Sequence, residues 1–407
     1  MYQISKEGKN LQGNINISGS KSESNRLLTL RAYTSFFNIT NLSDSDDTNT
    51  MISSLKSGNE EINIGHAGTA MRFLASYYSS ILNSSKILTG STRMKERPIL
   101  VLVEALNNLG ADIEYIDKKG YPPIRLNGKL ISNNIVTLPA NVSSQYVSSL
   151  MMLGVTINKG LKIKFSTKIT SLPYIHMTKK IIERIGGNVD VKPDEVIVKQ
   201  LVSNKIPDQI VESDWSSASY FFSLVALSDT SDITLSSFFN KSIQGDSRIV
   251  EIYKQFGVET NFINNKIYLK KNNIDLPDSI SLNLRDNPDL AQTIIVTCLG
   301  LGVDCKLEGL HTLKLKETDR LLALKREIEK FEVDTIAVSD QSITLINNSK
   351  LKSGVIINTY DDHRMAMSFA PLSMINPIII NNPEVVSKSY LNFWNDLESI
   401  GFKIFQK

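Results

Sequence analysis

Two alternating patterns of apolar residues run along the chain. The first is a cluster of small or polar residues followed at once by an apolar run of helical length. It occurs six times, near Gly19 (GSKSESNRLLTLRAY), Gly65 (GHAGTAMRFLASYY), Ser143 (SSQYVSSLMML), Asp214 (DWSSASYFFSLVAL), Asn287 (NPDLAQTIIVTCLG) and Tyr360 (YDDHRMAMSFAPL). Apolar positions wrap most of each run, which predicts helices buried on most sides. The second pattern is amphipathic and more charged. Its clearest copy, ERPILVLVEALNNLGADIEYI from Glu96, has apolar residues at helical spacing, a stop at Gly110, and then alternating Ile113 and Tyr115. Relatives of it begin near Asp46, Tyr174, Asp246, Asp319 and Tyr390, and the later copies recur about every 72 residues. That period suits a unit of two helices and several strands, so six such units make the chain. Short β-branched runs supply the predicted strands: Ile15 to Ile17, Lys86 to Leu88, Leu161 to Phe165, Asp232 to Leu235, Lys266 to Lys270 and Ser342 to Ile346. Helices alternating with strands predict an α/β (α+β) fold.

Composition narrows the partners. The 407 residues suffice for two or three domains at roughly 100–200 residues each. Lys and Arg (45) nearly balance Asp and Glu (42), which argues against a nucleic-acid partner. Cys298 and Cys305, both in apolar surroundings, exclude a disulfide framework and any multi-cysteine zinc or iron–sulfur site, and they fit a reducing cytoplasm. The polar start, Met1 to Gln12, lacks the apolar core of a signal peptide, and the longest apolar stretch, Ile294 to Val303, is about half a membrane span. A soluble, cytoplasmic protein is expected.

The candidate chemistry lies where helices begin. A helix N-terminus presents unpaired N–H groups and the positive end of the helix dipole, a natural seat for phosphate or carboxylate. Lys21 sits in the turn Gly19-Ser20-Lys21-Ser22, with Arg26 just inside the helix; Gly65, Gly68 and Thr69 leave backbone open ahead of Arg72; Ser143, Ser144 and Gln145 offer two hydroxyls and an amide. Cations gather in Arg93-Met94-Lys95-Glu96-Arg97-Pro98, where Pro98 fits a first helical turn. They gather again in Lys314 to Arg320, where helical spacing would set Lys316, Glu317 and Arg320 on one face. Arg364 follows Asp361, Asp362 and His363. The GSKS turn lacks the glycine spacing of a P-loop, which leaves an ATP site unsupported. No HExxH or clustered His/Asp spacing appears, so no catalytic metal is expected. His66, His176 and His311 read as non-ligands, and the two cysteines as core residues. A scaffold of six units without a common site would share the periodicity but has no need of these cations.

Read in order, GSKSESNR, DSDD, AGTAMR, RMKERP, SSQ, SLPY, SSASYF, GDSR, PDLA, KETDR and DHRMAM resemble the EPSP synthase family, the 3-phosphoshikimate 1-carboxyvinyltransferases, from about Gly19 to Trp394. The resemblance implies transfer of the enolpyruvyl group of phosphoenolpyruvate to the 5-hydroxyl of shikimate 3-phosphate, with release of phosphate, on the route to chorismate and aromatic amino acids. It implies no metal or organic cofactor and, with small-molecule substrates only, a monomer. The implied fold is an inverted α/β barrel pair of six βαβαββ units whose helix N-termini face an interdomain cleft. One domain would span 19–212 and hold most of the shikimate 3-phosphate site. The other, 1–18 plus 213–407, would carry Asp289, Glu317, Arg320 and Arg364.

By the family's motifs, Lys21, Ser22, Arg26, Ser143, Ser144, Gln145, Ser171, Tyr174, Asp289 and Lys316 would hold shikimate 3-phosphate. Lys21, Gly68, Arg97, Gln145, Arg320, Arg364 and Lys388 would meet phosphoenolpyruvate. Asp289 is implied as the general base, Glu317 as the principal proton donor, and Lys21 as a second participant. The chain departs from the family pattern at Phe73, at His66 and at Glu384, which stands where some relatives carry a lysine; Lys388, about a turn further on, is either its replacement or a solvated side chain. The family is the target of glyphosate. Its sister family, acting on UDP-N-acetylglucosamine, typically carries a reactive loop cysteine, and Thr89 to Pro98 has none.

Overall fold

The six small-residue clusters lead into the helices Lys21–Tyr33, Gly68–Ser80, Ser144–Gly154, Trp215–Leu227, Ala291–Leu301 and His363–Phe369 in a computed structural model of the chain. The structure describes residues 1–34, 37–139, 141, 143–169, 171–202, 205–346 and 351–407. The more charged segments form Asp46–Lys56, Leu100–Asn108, Leu172–Arg184, Ile249–Tyr253, Arg320–Glu329 and Phe393–Ser399. The apolar composition of the first set has a direct consequence. Of the helix Trp215–Leu227, only Ser216 escapes burial, whereas helices of the second set bury one face.

Strand order explains the repeat. Glu61–Asn63 pairs parallel with Ser85–Thr89, and the chain then returns as a hairpin of Asp112–Tyr115 and Ile124–Asn127, whose second strand pairs antiparallel with Ser85–Thr89. Helices follow each of the first two strands, which makes the unit βαβαββ. The same order recurs in Ile135–Leu138, Leu161–Phe165, Val189–Val191 and Glu195–Val198, and again in Ser279–Asn283, Asp304–Glu308, Thr335–Val338 and Ser342–Ile346. Two further four-stranded sheets are completed by segments distant in sequence. Asn10–Ile15 lies parallel to Thr230–Ser236, and Tyr2–Lys6 is inserted between Ile378–Ile380 and Phe402–Gln406. A two-stranded pair joins Ile39–Thr40 to Gln209–Ile210. The strand expected at Ile15 to Ile17 instead occupies Asn10–Ile15, and Tyr2–Lys6 precedes it; Ile17 is buried beyond the end of the ladder.

The chain divides into two compact units, Gly19–Val211 and Met1–Ser18 with Glu212–Lys407. The first has its core in Leu27, Leu30, Met71, Leu74, Val147, Leu150 and Ile181. Trp215, Phe222, Tyr253, Ile294, Leu324 and Phe369 are among the core side chains of the second. Each such side chain contributes roughly 1.5–3 kcal/mol by leaving water. Gly19 marks the junction: a β-carbon there would lie 1.8 Å from the carbonyl oxygen of Asn41, so the close approach admits no side chain. Among the described residues no helix is long and apolar enough to cross a membrane.

Candidate active site

In the unit Gly19–Val211, helices that begin without a side-chain cap include Lys21–Tyr33 at Ser20, Gly68–Ser80 at Ala67 and Leu172–Arg184 at Ser171. Their first N–H groups have no side-chain acceptor, the arrangement that suits an anion. Ser143 behaves differently. Its Oγ accepts from the Gln145 amide at 3.3 Å, while Gln145 Nε2 donates to Thr69 Oγ1 at 3.3 Å and ties one helix entrance to another. Lys21 Nζ lies 3.3 Å from Asp47 Oδ2.

Arg97 lies against Gly68, and its Nε is buried without a hydrogen-bond partner. Arg72 sets up this contact by donating to the carbonyls of Gly68 (3.0 Å) and Pro98 (3.4 Å), which holds the helix entrance beside the Arg97–Pro98 turn. Arg26 is fully enclosed. It donates to Thr178 Oγ1 (2.7 Å), Ser148 Oγ (3.1 Å) and the Ser22 carbonyl (2.8 Å), and its guanidinium sits near the rings of Phe73 and Tyr174. Burial pushes its pKa down to about 10 against the opposing pull of Tyr174 and Glu23. Ser171 adopts a left-handed backbone, φ 54°, at the start of its helix.

In the other unit, charges converge on Arg320. This buried guanidinium donates from Nε to Asp362 Oδ2 (2.6 Å), from Nη1 to Asp289 Oδ1 (2.9 Å) and from Nη2 to Glu317 Oε2 (2.8 Å). Lys316 Nζ approaches Asp289 at 3.4 Å, and Lys388 Nζ approaches Glu317 at 3.2 Å. Arg364 reaches the carbonyl of Asp289 at 3.2 Å and its carboxylate at 3.4 Å, and donates to Ser216 Oγ at 3.2 Å. Ser216 in turn donates a short hydrogen bond to Asp246. Burial pushes the Asp289 carboxyl up, but Arg364, Lys316 and Arg320 together outweigh it and hold the group well below the usual carboxylate range. Asp246 has the reverse balance: burial, then the neighbouring charge of Asp289, raises it to about 6. The cluster can therefore present an ionised carboxylate among several cations at neutral pH.

Residues 53–397 match the profile of the family described as EPSP synthase (3-phosphoshikimate 1-carboxyvinyltransferase). The chain belongs to the EPSP synthase family. A 3-phosphoshikimate 1-carboxyvinyltransferase of Bacteroides fragilis (strain YCH46) is 42% identical over 398 residues, 97% of this chain and 96% of that protein. The protein of that name from Colwellia psychrerythraea is 33% identical over 423 residues, 96% of this chain and 97% of the relative. A solved EPSP synthase structure from Acinetobacter baumannii shares the mixed α/β two-domain fold, with a TM-score of 0.76 at 19% identity over 100% of this chain and 99% of that one.

Within this EPSP synthase family member, several positions differ from the sequence reading. Pro98 is not in a first helical turn; it lies between the short helix Thr92–Lys95 and the helix Leu100–Asn108, whose N-cap is Ile99. Lys316 and Glu317 share no helix face with Arg320, because Asp319 caps the helix by accepting from the Leu321 and Leu322 amides and the helix starts at Arg320. Glu317 meets Arg320 from the preceding loop instead. Glu384 is exposed, while Lys388, at the end of the 3₁₀ turn Pro383–Lys388, is the lysine beside Glu317. Cys298 and Cys305 are both buried, and burial raises the Cys298 thiol well above its ordinary value. Four further polar residues, Asp47, Ser216, Asp246 and Asp362, join these charged groups. The first lies in DSDD, the second in SSASYF, the third in GDSR and the last in DHRMAM.

Proposed function

We propose that the chain transfers the enolpyruvyl group of phosphoenolpyruvate to the 5-hydroxyl of shikimate 3-phosphate. The observation that carries this reading is the ionised Asp289 among Lys316, Arg320 and Arg364 in a chain of this family. Lys21, Ser22, Arg26, Ser143, Ser144, Gln145, Ser171 and Tyr174 hold shikimate 3-phosphate, with Asp289 and Lys316. Lys21, Gly68, Arg97, Gln145, Arg320, Arg364 and Lys388 hold phosphoenolpyruvate. Arg is favoured where a carboxylate or phosphate is gripped through two N–H groups. The uncapped entrances at Ser20, Ala67 and Ser171 support anion binding on the Gly19–Val211 unit.

The 5-hydroxyl oxygen adds to C2 of phosphoenolpyruvate, its proton passing to Asp289 while C3 gains a proton from Glu317, with Lys21 as a second participant. The C2–O bond to phosphate then breaks as C3 returns its proton to Glu317 and the proton held by Asp289 passes to the departing phosphate, which restores the methylene and both carboxyl groups. Asp289 is too acidic to be a strong base while Arg364, Lys316 and Arg320 face it alone. Anionic substrates neutralise those cations, which raises Asp289 toward a useful basicity as the site fills.

Phosphate release from phosphoenolpyruvate, measured with shikimate 3-phosphate and with UDP-N-acetylglucosamine as alternative acceptors, tests the reading. Turnover with the first alone is expected. Turnover with the sugar nucleotide, or binding without turnover, rejects it.

A further inference from the structure

Arg320 and Glu327 stand seven residues apart on the helix Arg320–Glu329, two turns and so on one face. Both reach the same distant turn. Arg320 grips Asp362 at 2.6 Å. Glu327, fully buried, accepts from the Tyr360 hydroxyl at 2.6 Å through Oε1 and from the Asn358 amide at 2.9 Å through Oε2. Lys330 neutralises that carboxylate at 2.5 Å and also donates to the Ile356 carbonyl at 2.8 Å.

The turn held in this way is strained. Tyr360 (φ 53°) and Asp361 (φ 55°) are consecutive residues other than glycine in the left-handed region, a conformation that persists only where the surroundings impose it. The next residue, Asp362, both receives Arg320 and caps the helix His363–Phe369 by accepting from the Arg364 amide at 2.9 Å. The conformation at 360–361 therefore sets where two guanidiniums stand.

We propose that Glu327 is a positioning residue for phosphoenolpyruvate binding: through Tyr360 it locks the 358–362 turn, and through Asp362 it fixes Arg320 and Arg364. The phosphoenolpyruvate assignment rests on the reaction proposed above; the brace itself does not. Glu327 touches no substrate. Its loss loosens the grip on one anion and leaves the Gly19–Val211 unit, which carries most of the shikimate 3-phosphate contacts, unchanged.

The test uses the full chain with Tyr360→Phe, Glu327→Gln, their combination, and Glu327→Ala. The expected result is a rise in KM for phosphoenolpyruvate of roughly 3–10-fold in each of the first two, larger in Glu327→Ala, with calorimetric affinity for shikimate 3-phosphate within about twofold of wild type. The combined variant is expected to fall short of the product of the single effects, because the Tyr360–Glu327 hydrogen bond is common to both changes. Unchanged KM in the two milder variants, equal losses for both substrates, or a fully multiplicative combination overturns the proposal. Should Glu327→Ala not fold, the milder variants decide. Hydrogen exchange over Asn358–Met365 reads the brace without turnover: faster exchange in Tyr360→Phe supports it and unchanged exchange rejects it, even if the wild-type chain proved inactive on these substrates.

Discussion

The guanidinium of Arg97 lies over the α-carbon of Gly68, so close that a β-carbon there would meet Nη1 at 2.6 Å. Gly68 is the first residue of its helix, so this contact sets how near a cation stands to open backbone N–H groups. Gly68→Ala leaves the helix intact and displaces the far end of a flexible side chain. The expected outcome is a rise in KM for phosphoenolpyruvate of roughly tenfold, the scale of one misplaced charge-assisted hydrogen bond. Thermal stability should stay near wild type. Steady-state kinetics beside a melting curve check both.

Asp289→Asn keeps the shape of the side chain and removes the charge that Arg320, Arg364 and Lys316 share. Turnover is expected to fall by ~10²–10⁴, the usual cost of removing a general base. Calorimetry should still detect binding of shikimate 3-phosphate. Turnover near wild type in this variant removes Asp289 from the chemistry.

Much of the fold was legible because burial leaves a period. Helices such as Trp215–Leu227, buried nearly all round, and Leu172–Arg184, buried on one side, need different apolar spacings, and both spacings are visible in one sequence. What stayed hidden depends on contacts between segments. The KETDR stretch reads as helix until Asp319 is seen accepting two amides as a cap, after which Lys316 and Glu317 must reach the cluster from a loop. Asp246 opens an amphipathic segment whose period accounts for the buried Ile249 and Ile252 but not for a buried carboxylate. Its burial beside Ser216 comes from packing that no local spacing records.

Lys388 and Glu384 make a discriminating pair. Lys388 Nζ lies 3.2 Å from Glu317 Oε1 with its side chain 13% exposed, whereas Glu384 faces solvent. Lys388→Met removes a cation from the cluster and with it the ion pair to Glu317. It should raise KM for phosphoenolpyruvate about tenfold or more and shift the kcat–pH profile. Glu384→Lys should change neither quantity by more than about twofold, as for surface substitutions generally. The opposite ranking would return the family lysine's place to position 384.

Asp246 links the site to stability. Its carboxyl titrates at about 6 in the folded chain against an ordinary value of 3.8, so between those values the folded state binds more protons than the unfolded one. Stability therefore falls as pH rises from about 4 to about 6, and the penalty is fully present above that window. Asp246→Asn removes the charge that burial and Asp289 oppose. Its Tm is expected to exceed that of wild type by roughly 2–8 °C at pH 8, and the gap should close as the buffer is taken down to pH 4. Because Ser216 donates to Asp246 and receives Arg364, the gain in stability should come with weaker binding of phosphoenolpyruvate. A variant whose Tm advantage is the same at pH 4 and pH 8 would place its effect outside this carboxylate's titration.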